Sequence, residues 1–367
     1  MRIAFFDSQK LDYTAETPYR QPLGGSQSAA SYLAVELARL GHDVAVLNAT
    51  TAPGKYRGVH FLNLAQVATD FLYRYDVVIV LNWARGGRRL RHEFGVRAPL
   101  VLWISHACDQ PVVRPLEQLE EREVWNGFAF VSKWQQDSFV EKFRIPPEKG
   151  RIMRNAISPA IGDVPLAAAW FERGEPPVLG YTSAPFRGLN VLLVSFRAIR
   201  TAIPSVRLRV FSSMAIYQAA AHDEYSQLYA ICAATDGVDY FGAVGQTQLA
   251  QELRGIGGLA YPSTFPETSC IAVLEAMAAG GFVFTTRLGA LPETTNGFAY
   301  MVDADSNRAM LAERFAAMTI AGLCELQSDP IGAANRRAIQ AKFVRDNYSW
   351  SVRATEWAAW LSQVAGG

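Results

Sequence analysis

Short continuous apolar runs alternate along this chain with segments whose apolar residues recur at helical spacing. Residues 2–7 (RIAFFD) read as a strand, followed by a polar stretch to Leu23. Gly24-Gly25-Ser26 then opens a helix with Ala30, Leu33, Leu37 and Leu40 as its buried stripe and Gly41 as its stop. The next strand is Asp43–Asn48, so strand, helix, Gly-His and strand form a βαβ unit that predicts a parallel sheet. Further strands are expected at Val77–Leu81, Leu100–Ile104 and 129–131. None alternates with polar residues, which is the pattern of strands covered on both faces.

A stretch rich in Pro and Ala follows Asn155-Ala156-Ile157 and contains Gly174-Glu175-Pro176-Pro177, the best linker candidate. A second α/β series starts beyond it. Its strands are expected at Val178–Tyr181, 207–211, 238–241, 259–261 and 282–286, with helices at 189–200 and 246–254. At 367 residues the chain can bury two ordinary cores. The predicted architecture is therefore two α/β domains with parallel sheets, 1–162 and 163–345. The tail at 348–361 is amphipathic, with Trp350, Ala354, Trp357 and Leu361 at helical spacing.

The stretch that carries most chemistry is 261–293, YPSTFPETSCIAVLEAMAAGGFVFTTRLGALPE. A strand end runs into a Pro/Ser/Thr loop and then a compact helix, with Ser269 as N-cap and Ile271, Leu274, Met277 and Ala278 as a buried stripe. The free N–H groups of that first turn make a site for phosphate. Glu267 stands before the helix and Glu275 eight positions on, inside it. Carboxylates beside a phosphate site can accept hydrogen bonds from sugar hydroxyls. With nineteen Glu in the chain, that spacing alone is weak, and its context makes it specific: Pro-Glu-Thr-Ser before, Glu-Ala-Met-Ala-Ala-Gly after, then Leu-Gly-Ala-Leu-Pro-Glu.

In these residues the chain resembles the family 4 glycosyltransferases, whose signature is a Glu, seven residues and a second Glu. The resemblance implies the GT-B fold, two Rossmann-like domains facing across a cleft, with the closing helix (346–367) returned to the N-terminal domain. It implies a retaining transfer of a hexose from a nucleoside-diphosphate sugar to a hydroxyl of a glycan, lipid-linked or other acceptor, with departure and attack on one face. Such enzymes work in cell-surface polysaccharide, lipopolysaccharide or other glycoconjugate synthesis. By the same resemblance Glu267 meets the donor sugar and Glu275 the ribose. Thr268 and Ser269 give backbone N–H groups to the donor, and the backbone of Gly242, Ala243 and Val244 lies near the base. One departure is Gly280-Gly281, where similar enzymes have Gly-Pro.

Other candidates lie outside that stretch. Gly24-Gly25 lacks the dinucleotide fingerprint and reads alone as a helix-start turn. The resemblance places Gly25 against the donor phosphate. His106 follows the run LVLWIS and should sit at a C-terminal strand end, where open α/β sheets bind ligands. Similar enzymes keep a His there to orient the donor sugar. Arg187 precedes Gly188 where the family has Lys-Gly, and a cation there would neutralise the diphosphate, whereas an exposed loop charge is the bland alternative. Ser183 stands where the family's earlier Gly-Arg is missing.

Asp303-Ala304-Asp305 resembles a metal-holding acidic pair but precedes an expected helix at 307–317 and is read as its start, so no metal and no cofactor are expected. The net charge of +1 gives no field for nucleic acid. Residues 1–160 carry 20 Lys+Arg against 16 Asp+Glu, and 161–367 carry 15 against 18. Within the basic half, Arg85, Arg88, Arg89, Arg91 and His92 cluster around Gly86-Gly87. Two readings stay open for them, a solvated face or a contact with an anionic acceptor or acidic leaflet.

Cys108, Cys232, Cys270 and Cys324 form neither a CxxC nor a metal spacing and read as small buried hydrophobes of a reducing compartment. Residues 1–6 are too short for the apolar core of a secretory leader, and no apolar run approaches the roughly 18 residues of a spanning helix. A cytoplasmic protein is expected, either free or peripheral at the membrane's inner face. Two rival readings are a sugar-nucleotide epimerase of similar architecture and a non-catalytic nucleotide-sugar-binding subunit.

Overall fold

The computed structural model describes residues 1–162, 164–218 and 223–366. Asp163, where the second domain was expected to begin, lies outside the described residues. The chain divides into two compact units. Met1–Pro18, Leu23–Ala156 and the closing helix Trp350–Gly366 form the first, and Tyr19–Pro22 with Ile157–Ser349 form the second.

The first unit holds β1 (Arg2–Phe6), β2 (Asp43–Asn48), β3 (Gly54–Tyr56), β4 (Val59–Asn63), β5 (Val77–Leu81), β6 (Leu100–Ile104), β7 (Gly127–Phe130) and β8 (Gly150–Ile152). They make one sheet in the order β3-β4-β2-β1-β5-β6-β7-β8, parallel except where β3 pairs antiparallel with β4. All of β5 and β6 is buried, as their unbroken apolar sequences require. Helices cover the sheet. Gly25–Arg39 buries Ala30, Leu33 and Leu37, while Leu40 of the expected stripe is half exposed at the C-cap. The closing helix packs on it and on the sheet: Trp350 meets Tyr32 at 6.1 Å between ring centres, and Trp357 meets Trp103 of β6 at 5.1 Å. Trp350, Ala354, Trp357 and Leu361 are all buried, so the apolar stripe of the tail is core.

The second unit holds β9 (Val178–Tyr181), β10 (Arg207–Val210), β11 (Val238–Tyr240), β12 (Gly258–Tyr261), β13 (Phe282–Arg287) and β14 (Tyr300–Asp303). Its order, β11-β10-β9-β12-β13-β14, is parallel throughout. Both sheets thus contain the doubly wound order of a Rossmann half-fold, with the direction of winding reversing beside the first strand.

The structure corrects several expectations. Four strands were not read from the pattern: β3, β4, β8 and β14. Three of them, β3, β8 and β14, are edge strands that are half exposed or exposed, and β4 alternates buried with exposed residues; β3, β4 and β8 offer no apolar run, whereas β14 lies in the apolar run 298–302. The strand expected at 129–131 is Gly127–Phe130. The helix after β12 is Ile271–Ala278, with Cys270 rather than Ser269 at its N-cap and no side-chain cap. Val273 takes the core position expected of Ile271, which is half-buried. Gly281, where Pro was the family habit, donates its N–H to the Ala276 carbonyl at 2.8 Å, a bond Pro could not make.

Asp303 does not start a helix. It ends β14 and pairs with Arg287, while Asn307 caps the helix Arg308–Ser328 by accepting from Ala309 and Met310. Of the cysteines, Cys232 and Cys270 are buried, but Cys108 is half-buried and Cys324 exposed, which corrects that reading for two of the four.

Candidate functional site

In the second unit the winding reverses between β9 and β12, and open parallel sheets bind ligands in the crevice beyond the strand ends at such a point. The loop after β9 carries Ser183 and Arg187. The loop after β12 carries Glu267, Thr268 and Ser269. The two loops touch. Arg187 closes the short turn Pro185–Arg187, and Gly188 follows with φ +117°, where a Cβ would fall 2.2 Å from the Pro262 carbonyl oxygen. Only Gly combines that backbone with so close an approach.

This packing sets Arg187 against Glu267. Its Nη1 bonds both carboxylate oxygens, at 2.6 Å to Oε2. The guanidinium lies 4.6 Å from the ring centre of Phe265 and 5.4 Å from that of Phe186. Glu267 is 3% exposed and Arg187 23%, so the reading of Arg187 as an exposed loop charge does not hold. Burial alone would weaken the charge on Arg187. The adjacent carboxylate outweighs it and holds the guanidinium well above its ordinary pKa.

Tyr261, the last residue of β12, donates its hydroxyl to Glu267 Oε1 and lies 3.5 Å from Ser183 Oγ. Burial, then the neighbouring carboxylate, keep that hydroxyl protonated far above its usual range. From below, Gly289 supports the same residue: its φ is +60°, a Cβ there would fall 2.5 Å from the Glu267 carbonyl oxygen, and Ala290 N–H donates to that oxygen at 2.7 Å.

Glu275 is buried on the helix Ile271–Ala278, and its Oε1 accepts the Ser158 N–H at 3.1 Å. Burial pushes its carboxyl up to about 7. Gly242, Ala243 and Val244 follow β11 and are half-buried, Gly242 at φ +69°. Thr268 is buried and Ser269 half-buried.

The first unit repeats the arrangement, with its reversal between β1 and β5. His106 follows β6, and its Nδ1 lies 3.2 Å from Oδ1 of Asn82, the residue after β5. Asn82 holds φ +51° and accepts the Ser105 N–H with the same oxygen at 2.7 Å, so the β5 turn sets the imidazole's place. Gly25 is the first residue of its helix, with Gly24 as N-cap. Gln27, in the first turn of that helix, donates to the Asp7 carboxylate at 3.1 Å, and the Tyr13 hydroxyl donates to the same oxygen at 2.9 Å. Asp7 is fully buried, which pushes its carboxyl up against the hydrogen bonds that pull it down.

The structure thus brings together Ser183, Arg187 and Glu267, and in the other unit it holds His106 just beyond a strand end and Gly25 at a helix start. Sequence reasoning missed Tyr261, Gly289, Asp7 and Asn82. Their signals were polar residues at strand ends (Asp7, Asn82, Tyr261) and a Gly in the motif's own tail.

The basic cluster splits into different roles. Arg91 donates to the Val96 and Ala98 carbonyls and to Asn126, so it ties a loop rather than facing a partner, which removes it from the expected membrane contact. Arg89 pairs with Glu93 and Arg88 stands 3.8 Å from Glu121, while Arg85 is exposed. No described helix is long and apolar enough to cross a membrane. Among the described residues no group of three or more His, Cys, Asp or Glu could hold a metal ion.

Two Rossmann-like units with parallel sheets in one chain make this the GT-B glycosyltransferase fold. Residues 176–319, which contain Arg187, Glu267 and Glu275, match the family described as Glycosyl transferases group 1, in line with the resemblance read from the sequence. Solved structures share the fold over the whole chain. A glycosyltransferase from Rickettsia africae is 13% identical at TM-score 0.71, covering 99% of this chain and 98% of its own. Anabaena HepE in complex with UDP-glucose is 17% identical at TM-score 0.66, covering 99% and 100%. WaaG, a glycosyltransferase involved in lipopolysaccharide biosynthesis, is 14% identical at TM-score 0.68, covering 100% of both. Sequence comparison with curated proteins gives no match.

Proposed function

We propose that the protein is a retaining glycosyltransferase that moves a hexose from a nucleoside-diphosphate sugar to an acceptor hydroxyl, without a metal ion. The observation that carries this reading is the buried Arg187–Glu267 pair at the switch point of the second sheet, where a cation and a carboxylate meet beyond the strand ends. Arg187, with Ser183, faces the diphosphate, and the backbone of Thr268 and Ser269 donates to the donor. Glu267 accepts a sugar hydroxyl, Glu275 the ribose hydroxyls, and Gly242, Ala243 and Val244 border the base. Gly25 approaches the phosphate and His106 orients the sugar. In the reaction the bond from the sugar's anomeric carbon to the diphosphate breaks, the acceptor oxygen bonds on the same face, and its proton passes to the leaving phosphate. Fixed positive groups stabilise the departing charge.

The family match over 176–319 supports a glycosyl transfer, and HepE, whose structure holds UDP-glucose, supports a nucleotide-sugar donor. WaaG's role supports a place in cell-surface glycoconjugate synthesis, in the cytoplasm, with Arg85, Arg88 and Arg89 as the remaining membrane-facing candidates. A thermal-shift screen of UDP-, GDP- and dTDP-sugars tests the donor site, since a ligand at a hundred times its Kd adds about 2.7 kcal/mol of stability. With the donor found, NMR of the product should show the donor's anomeric configuration retained, and EDTA should leave the rate unchanged. Glu275→Ala should chiefly weaken nucleotide binding and His106→Ala chiefly lower turnover. An inverted product refutes retention, and conversion of the donor with no acceptor present makes the protein an epimerase instead.

A further inference from the structure

We propose that Glu267 sets the preference of the donor site for the intact nucleotide sugar over the free nucleoside diphosphate, the product of transfer. The inference rests on the reading of this site as one for a nucleoside-diphosphate sugar. Its basis is how the ion pair is built. A single nitrogen of Arg187, Nη1, takes both oxygens of Glu267. The Nε and Nη2 edge, the one that matches a phosphate bidentately, has no hydrogen-bond acceptor among the described residues. Phe265 and Phe186 flank the guanidinium, and Tyr261 pins the carboxylate from its other side. A phosphate therefore reaches the cation while the cation stays on Glu267.

What the phosphate meets is a neutral pair with a carboxylate close behind it. Glu267 is 3% exposed, so little water screens its charge. A free nucleoside diphosphate brings an extra negative charge on its terminal phosphate and nothing for Glu267 to bind. The nucleotide sugar lacks that charge and brings hydroxyls. Among the described residues Glu267 Oε2 accepts one hydrogen bond, from Arg187, which leaves a lone pair to accept from a hydroxyl. The same carboxylate repels the product and accepts from the donor.

Calorimetric titration of the full chain with UDP and UDP-glucose, and with GDP and GDP-mannose, tests this against Glu267→Gln. The amide keeps the shape and removes the charge. Nucleoside diphosphate should bind about tenfold more tightly, the scale of one charge at a partly buried site, and the sugar nucleotide no more tightly than before. Tyr261→Phe, which leaves the charge in place, should not produce the tightening. If Glu267→Gln does not fold, Glu267→Asp carries the test, because it withdraws the oxygens from Nη1 and should tighten the diphosphate by a smaller factor. Nucleoside diphosphate affinity that is unchanged or lower, or an equal shift for both ligands, overturns the proposal. A wild-type protein that binds none of the four ligands removes the donor-site reading and this inference with it.

Discussion

Replacing Glu275 by Gln should stabilise the second unit at neutral and alkaline pH and flatten its pH dependence. Glu275 is 4% exposed, and among the described residues the one hydrogen bond to its carboxylate comes from the Ser158 backbone, a neutral donor. Burial raises its carboxyl from 4.5 to about 7. Below 4.5 the folded and unfolded chains both hold the proton and the group contributes no pH dependence. Between 4.5 and 7 the unfolded chain gives it up while the folded chain keeps it, so stability falls as pH rises. Above 7 both are ionised and the full penalty remains. At about 1.4 kcal/mol per pH unit this reaches about 3 kcal/mol as an upper bound.

Gln has the same shape, and its amide oxygen can accept from Ser158. Urea unfolding of wild type and Glu275→Gln from pH 4.5 to 8.5 should show little difference at the acid end. A gap of about 2–3 kcal/mol in favour of the variant should open by pH 8. A constant gap across that range refutes the argument. A carboxylate that costs this much and steadies only one backbone N–H suits a ligand role. On the ribose role proposed for Glu275, ribose hydroxyls favour its ionised form, so nucleotide binding near pH 7 should release a proton, read as a heat that varies with the buffer.

Two further perturbations test the frame around the site. Gly188→Ala places a Cβ 2.2 Å from the Pro262 carbonyl at φ +117°, and should cost about 2–4 kcal/mol while weakening nucleoside diphosphate binding through the displaced Arg187 turn. Denaturant unfolding and calorimetry check it, and wild-type stability would show that the two loops part freely. Trp357→Ala removes a fully buried ring packed on Trp103 and Trp360, and should cost about 3–5 kcal/mol. Unfolding followed by tryptophan fluorescence measures it, and a loss under 1 kcal/mol would show that the closing helix is dispensable to the first unit's core.

The parts of the fold legible in the sequence are those whose signal is local. Val77–Leu81, Leu100–Ile104 and Val178–Tyr181 are unbroken apolar runs in sheet centres, and the structure gives them the same bounds. Gly54–Tyr56 and Gly150–Ile152 are edge strands whose pairing partner, not their composition, makes them strands. Ser269 looked like a cap because Ser commonly is one, but the backbone turns helical one residue later, after Cys270. Arg91 looked like one more exposed charge in a basic run, and only the fold reveals the carbonyls of Val96 and Ala98 waiting for it.

The site shows the same division at the level of single bonds. Glu267 and Arg187 could each be picked from their motifs, but they stand 80 positions apart, and nothing local says that they touch. Sheet order brings them together: β9 and β12 are neighbours although two strands intervene in the sequence, so the loops leaving them meet. Once the pair exists, Tyr261 acquires a reason. A carboxylate at 3% exposure needs donors for its oxygens, and a β12 residue ending in Phe would leave Oε1 with Arg187 alone. The hydroxyl supplies that second donor without adding a charge that would compete with Arg187 for the carboxylate.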